Sequence, residues 1–247
     1  MLKRAAVIGA SSGLGEAIVR RLIQDGYRVA AVARRKERLD SLATELNRGE
    51  LTQCYAHEHD VTDTGSVRQV FDDIVRQLDG LDLVVYCAGV MPIVTEDQYQ
   101  TSVDLSVFDV NLKGAVAWLN LAAERFQVQR GGTIVGVGSV AGDRGRRNPG
   151  PAYASSKAAL HTYLESLRNR LSQHGVTVIT IKPGPMKTPM TEGLDDMPFV
   201  ITAEEGAAGV LRAINRRAGV AYVPQKWGAI MMVIRHIPSK IFRKLSI

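Results

Sequence analysis

Ala5-Ala-Val-Ile-Gly9-Ala-Ser-Ser-Gly13-Leu-Gly15-Glu-Ala-Ile18 is the stretch that decides how the chain folds. Four consecutive apolar residues, Ala5 to Ile8, read as a strand buried on both faces, and they run straight into a glycine turn. From Gly13 to Asp25 the apolar positions recur at helical spacing, so the turn joins a strand to a helix. Glycine there lets main-chain N–H groups approach a pyrophosphate, and the helix N-terminus favours the negative charge. A tight turn needs glycine for its own sake, so the triplet gains weight only from the strand before it.

Outward from this stretch the same unit repeats. Arg28 to Ala33, Leu51 to His57 and Leu81 to Ala88 read as strands, alternating with helices from Lys36 to Asn47, Asp63 to Leu78 and over much of Asp97 to Gln129. Further on, Thr133 to Ser139, a helix from Tyr153 to His174, Val176 to Lys182, a helix from Ala203 to Arg217 and Val220 to Val223 complete about seven strand and helix units. Such alternation predicts an α/β chain: a single doubly wound Rossmann-type domain with a parallel sheet of about seven strands flanked by helices. Thr202-Ala-Glu-Glu205 has the form of a capping box. Residues 1–225 are expected to form the domain, and residues 226–247 an amphipathic basic tail. That tail suits either the headgroup region of an anionic membrane or a neighbouring subunit, with a homodimer or homotetramer expected.

The bulk properties bound the function. At 247 residues and 45% apolar content the chain can bury a sizeable core. A net charge of +6 permits an anionic partner, but zinc-finger spacing, RNP-like aromatic strands and fixed-period repeats are missing, so nucleic acid is disfavoured. Two cysteines, Cys54 and Cys87, suggest neither a disulfide framework nor a metal cluster, and a reducing cytoplasmic setting is expected, with the inner face of the membrane as the surface a basic tail would touch. No apolar stretch reaches the ~18 to 20 residues needed to span a bilayer.

Chemistry enters at Tyr153-Ala-Ser-Ser-Lys157, fourteen residues after Ser139. Side chains four apart on a helix stand one above the other, which brings the Lys157 ammonium near the Tyr153 phenol. A close cation lowers a phenol's pKa from about 10 and fits it for general acid–base work. At the end of the second strand Ala33-Arg34-Arg35 stands where an acidic residue would hold an adenosine ribose. Guanidinium groups favour a 2′-phosphate, so NADP(H) is the expected cofactor. Asp60, followed by Val61, is placed to accept from the adenine amino group, and Tyr86-Cys-Ala-Gly89 to line the adenosine side.

These residues together resemble the short-chain dehydrogenase/reductase family over nearly the whole chain. Gly9, Gly13 and Gly15 match its glycine motif, Cys87-Ala88-Gly89 its fourth-strand motif, Asn111 its helix-four Asn, and Ser139, Tyr153 and Lys157 its catalytic set. Two departures stand out: Tyr86-Cys87 replaces a common pair of Asn, and the interval from Ser139 to Tyr153 is one residue longer than usual. The resemblance implies hydride transfer between a nicotinamide and a carbonyl or alcohol, with Tyr153 delivering the proton, Ser139 orienting the oxygen, Lys157 tuning the phenol and holding the nicotinamide ribose, and Asn111 retaining a relay water. It implies further cofactor contacts from Ser11, Ser12 and Leu14, and from Pro183, Gly184, Met186 and Thr188 in the loop closing over the nicotinamide.

Gly142-Asp-Arg-Gly-Arg-Arg147 puts Arg144, Arg146 and Arg147 beside the expected cleft, either as an anion-binding rim or as a solvated or subunit-contacting loop. Met186, Met190, Met197 and Phe199 would cover it, suiting a greasy ligand or ordinary packing. Tail and loop together resemble the branch that reduces polyprenylphosphoryl 2-keto-pentoses. A general reductase of hydrophobic ketones is the alternative, and a non-catalytic nucleotide-binding membrane scaffold or redox sensor the reading from another class.

Overall fold

The structure, a computed structural model, describes residues 3–47, 52–93, 95, 97–147, 150–193 and 197–245. Strands β1 (Lys3–Ile8), β2 (Tyr27–Ala33) and β3 (Cys54–Glu58) alternate with helices α1 (Gly13–Gln24), α2 (Lys36–Leu46) and α3 (Val67–Leu78). β4 (Leu83–Tyr86) leads to α4 (Thr101–Phe108) and α5 (Gly114–Gln129), then β5 (Gly132–Val137), α6 (Pro151–Leu171) and β6 (Val176–Pro183). The short strands β7 (Met186–Lys187) and β8 (Ile201–Thr202) pair with each other before α7 (Ala203–Asn215), β9 (Val220–Val223), α8 (Lys226–His236) and α9 (Ser239–Phe242).

The main sheet has seven parallel strands in the order β3-β2-β1-β4-β5-β6-β9. Because the chain reverses its direction of growth between β1 and β4, the carboxyl ends of these two strands part and leave a crevice there. The interior strands are mostly apolar, and their two faces feed separate cores. Ala5, Val7, Val29 and Ala31 face α1 and α7, whereas Ala6, Ile8, Val84 and Tyr86 pack toward α3, α5 and α6. The capping box at Thr202 is present, with Glu205 N–H donating to the Thr202 hydroxyl and Thr202 N–H to the Glu205 carboxylate.

Most element ends shift by one to four residues from the sequence reading, and three differences matter more. The expected third strand starts at Cys54, and Leu51 lies outside the described residues. The expected long helix before β5 is two helices joined by a π-turn at Asp109–Lys113, whose one extra residue re-aims Asn111 into the interior. The tail is part of the packed structure: Trp227, Met231 and Ile234 are buried against Val140, so packing does not end at residue 225. Its outward apolar side chains are Met232, Val233 and Ile241, and Ser246 and Ile247 lie outside the described residues. No helix among the described residues is long and apolar enough to cross a membrane.

Candidate active site

At the carboxyl ends of the strands the crevice opens into a cleft of about 720 Å³. One end is the glycine turn. Gly9 has φ of +92°, and a Cβ on it would stand 2.5 Å from the Ala88 amide nitrogen, while one on Gly15 would stand 2.1 Å from the Gly9 carbonyl oxygen. Only glycine lets the β1 turn, the start of α1 and the end of β4 close up to this degree. Ser11, Ser12, Gly13, Leu14, Cys87, Ala88 and Gly89 line the same end, and Tyr86 does not. Fully buried, Tyr86 donates its hydroxyl to the Val110 carbonyl at 2.6 Å, tying β4 to the π-turn.

The two arginines after β2 have different surroundings. Arg35 reaches across to the turn and donates to the hydroxyls of Ser11, at 2.8 and 3.1 Å, and Ser12, at 2.7 Å. Burial, with Arg38 and Arg34 nearby, lowers its pKa, so an anion placed there would relieve an uncompensated positive field. Arg34 is mostly exposed and sits 3.6 Å from Asp60. Asp60 accepts from the amide and hydroxyl of Thr62, and its carboxylate is thereby turned to its own turn and Arg34; Val61 and His59 line the cleft beside it. Asp60 caps its own turn and is not among the cleft-lining residues, whereas Val61 is.

At the other end Ser139, Tyr153 and Lys157 converge. Ser139 follows β5 and caps a 3-10 turn, accepting from the Ala141 amide at 3.1 Å. Lys157 Nζ donates to the Val137 carbonyl at 3.0 Å and stands 5.8 Å from the centroid of the Tyr153 ring. Burial raises the Tyr153 pKa, partly offset by the neighbouring Ser139 hydroxyl. The phenol lowered by Lys157 that the sequence leads one to expect is not found: burial dominates it, and burial also brings Lys157 down to about 8. Asn111 is fully buried. Its amide donates to the Val90 carbonyl and the Ser156 hydroxyl and accepts from the Val90 amide, so both amide hydrogens are used and the side chain pins the loop after β4.

Lys157 is charged and buried near neutrality, at a cost to folding. Its folded pKa lies below its value of about 10.4 in the unfolded chain, so between about pH 8 and pH 10.4 the unfolded state binds more protons and stability rises with pH. Lys157→Met is expected to melt higher than the wild type at pH 7 while losing turnover, with the gap narrowing toward pH 10. Equal melting temperatures at both pH values would contradict this.

Pro183, Gly184, Met186 and Thr188 line the cleft from the loop after β6, with Met190 and Met197 beside them. Phe199 instead packs edge-on against Trp227, ring centroids 6.0 Å apart. Of the three loop arginines, only Arg146 lines the cleft. Arg144 donates to the carbonyls of Ile234, Arg235 and Ile237 and stacks over Phe242 at 4.0 Å, and Arg147 donates to the Arg243 carbonyl. The expected three-arginine rim is thus largely a clasp on the carboxyl ends of the C-terminal helices, where guanidinium groups satisfy terminal carbonyls.

Sequence reasoning missed a buried cluster behind Ser139. Asp143 accepts from Lys182 at 2.5 Å and from the Tyr222 hydroxyl at 2.6 Å, and lies 3.6 Å from His161, whose other ring nitrogen accepts from the Ser139 amide at 3.3 Å. Burial, and then Lys182, lower the His161 pKa to about 3, so this histidine is a neutral acceptor. Two signals were available: Lys182 ends an apolar strand, and His161 lies four residues beyond Lys157 on one helix face.

A dinucleotide-type glycine turn at one end of a cleft and a Ser, Tyr and Lys set at the other define an oxidoreductase site on a doubly wound sheet. Comparison with known proteins agrees: the short chain dehydrogenase family profile matches residues 3–198, and the chain belongs to that family. An uncharacterized oxidoreductase of Staphylococcus epidermidis is 34% identical over 193 residues, covering 78% of this chain and 82% of that one. Another, from Mycobacterium tuberculosis, is 28% identical over 246 residues, covering 99% and 97%. Among solved structures, a short chain dehydrogenase/reductase family protein superposes with a TM-score of 0.78 at 26% identity, over 90% of this chain and 95% of its own. ElxO with NADP bound, at 20% identity, has the same fold, with a TM-score of 0.82 over 90% and 97%.

Proposed function

We propose that this oxidoreductase interconverts a carbonyl and an alcohol with NADP(H) as hydride carrier, acting on substrates with an apolar body. The convergence of Tyr153, Ser139 and Lys157 at one end of a cleft whose other end holds Arg35 carries the proposal. The glycine turn and the hydroxyl-braced guanidinium fit a dinucleotide with a 2′-phosphate, and the NADP bound by ElxO on the same fold supports that choice. When bound, the nicotinamide supplies or accepts a hydride. The protein's part is positional and protonic. A phenol whose pKa burial raises holds its proton until a carbonyl oxygen begins to carry charge, and then donates it. The Ser139 hydroxyl, fixed by the turn that it caps, orients that oxygen. Lys157 places a positive charge behind the forming phenolate, and methionines and prolines around the mouth exclude water.

Arg35→Ala is expected to weaken NADPH binding by about 10- to 100-fold, the worth of a charge-assisted hydrogen-bond pair, and to leave NADH nearly unaffected. Arg34→Ala is expected to do much less, since its guanidinium is exposed and screened. Equal losses for both cofactors in Arg35→Ala, measured by fluorescence titration, would refute the 2′-phosphate contact. The narrower polyprenylphosphoryl ketopentose substrate stays a proposal within this reading and requires an anion site near the reacting end.

A further inference from the structure

Among the described residues, Arg146 is a cation without a counter-ion in the wall of the reaction cleft. It lines the same cavity as Ser139, Tyr153 and Lys157. Its Nε is buried with no hydrogen-bond partner, and one terminal nitrogen reaches only the thioether of Met231, at 3.6 Å. Among the described residues no carboxylate pairs with it. The nearest acid in sequence, Asp143, is already held by Lys182, Tyr222 and His161. Burial is the first cause of its lowered pKa, and Asp143 only partly opposes it. A guanidinium left in this condition costs free energy that an incoming anion would recover. Arg144 and Arg147, its neighbours in the loop, are committed to backbone carbonyls of the C-terminal segment and fix the loop that carries Arg146. Around the mouth stand Met91, Ile93, Val140, Met190 and Met197, a lining for an apolar chain.

We propose that Arg146 is the specificity-determining residue that binds an anionic group, phosphate or carboxylate, on an otherwise apolar carbonyl substrate. The proposal rests on the reductase reading for the word substrate, but binding of the anion needs no turnover. Arg146 acts at the reacting end of the cleft, whereas the cofactor's 2′-phosphate belongs with Arg35 at the other end.

The test is isothermal titration of the NADP-loaded protein with hexyl phosphate, hexanoate and 1-hexanol, in buffer free of phosphate and sulfate. Expected is binding of at least one of the two anions about 10- to 100-fold tighter than hexanol in the wild type, retained in part in Arg146→Lys and lost in Arg146→Gln and Arg146→Met, with NADPH affinity unchanged in all three. Which anion binds better separates a phosphoryl from a carboxyl substrate. Wild-type protein that binds neither anion better than hexanol overturns the proposal, and needs no variant to fold. So does an NADPH affinity that falls in Arg146→Gln as far as the anion affinity does, because the anion would then be the cofactor's own. A protein that selects the anion yet reduces no ketone keeps the site and removes the reductase reading.

Discussion

Tyr153→Phe is expected to lower carbonyl reduction by about 10²- to 10⁴-fold, the range that a positioned proton donor contributes, while NADPH binding stays near the wild-type value. The substitution removes one oxygen from a buried ring whose packing on α6 is otherwise kept, so the fold has little reason to change. It also removes the hydroxyl that shares the cleft with Ser139, leaving Ser139 to orient a carbonyl that nothing protonates. Melting temperature and NADPH titration serve as controls. Turnover at the wild-type rate would assign proton delivery to another group.

The second large effect is on stability. Trp227 is 3% exposed and packs so closely on Gly184 that a Cβ there would lie 2.0 Å from the indole nitrogen. Trp227→Ala opens a cavity between α8 and the loop closing the cleft, at a cost of about 3 to 5 kcal/mol. For a chain of this size the expected drop in melting temperature is on the order of 10 °C. NADPH affinity should fall with it, since Gly184 and Pro183 line the cofactor end of that loop. Met232→Asp and Ile241→Asp, on the outward face of the same helices, should leave melting unchanged. If the tail touches an anionic membrane, these two variants, and not Trp227→Ala at matched folded fraction, lose sedimentation with anionic liposomes. Unchanged melting in Trp227→Ala would show that the tail is not part of the packed core.

Much of the fold was legible because the signals were local. Ala5 to Gly15 announced a buried strand, a turn and a helix within eleven residues, and Val220 to Val223 was read to its observed ends. The π-turn at Asp109–Lys113 was not legible, since one inserted residue hardly disturbs helical periodicity while it changes which face Asn111 presents. Catalytic placement was readable from Tyr153 and Lys157, four apart on one helix. Side-chain commitments were not. Arg144, Arg146 and Arg147 look alike in sequence, and only the return of α8 and α9 over the loop sorts two clasping arginines from one that faces the cleft. In the same way the Asp143, Lys182, Tyr222 and His161 cluster joins residues 18 to 79 positions apart and leaves no short-range pattern.

Hydride transfer itself is tested most directly by following a label. The protein is mixed with NADPH deuterated at the transferable C4 position and a panel of apolar ketones with and without an anionic group, and the products are examined by mass spectrometry. The expected result is deuterium on the carbinol carbon of the alcohol, formed by the wild type with NADPH and lost in Tyr153→Phe. No alcohol from any ketone, or an alcohol whose carbinol carbon carries no deuterium, would contradict it.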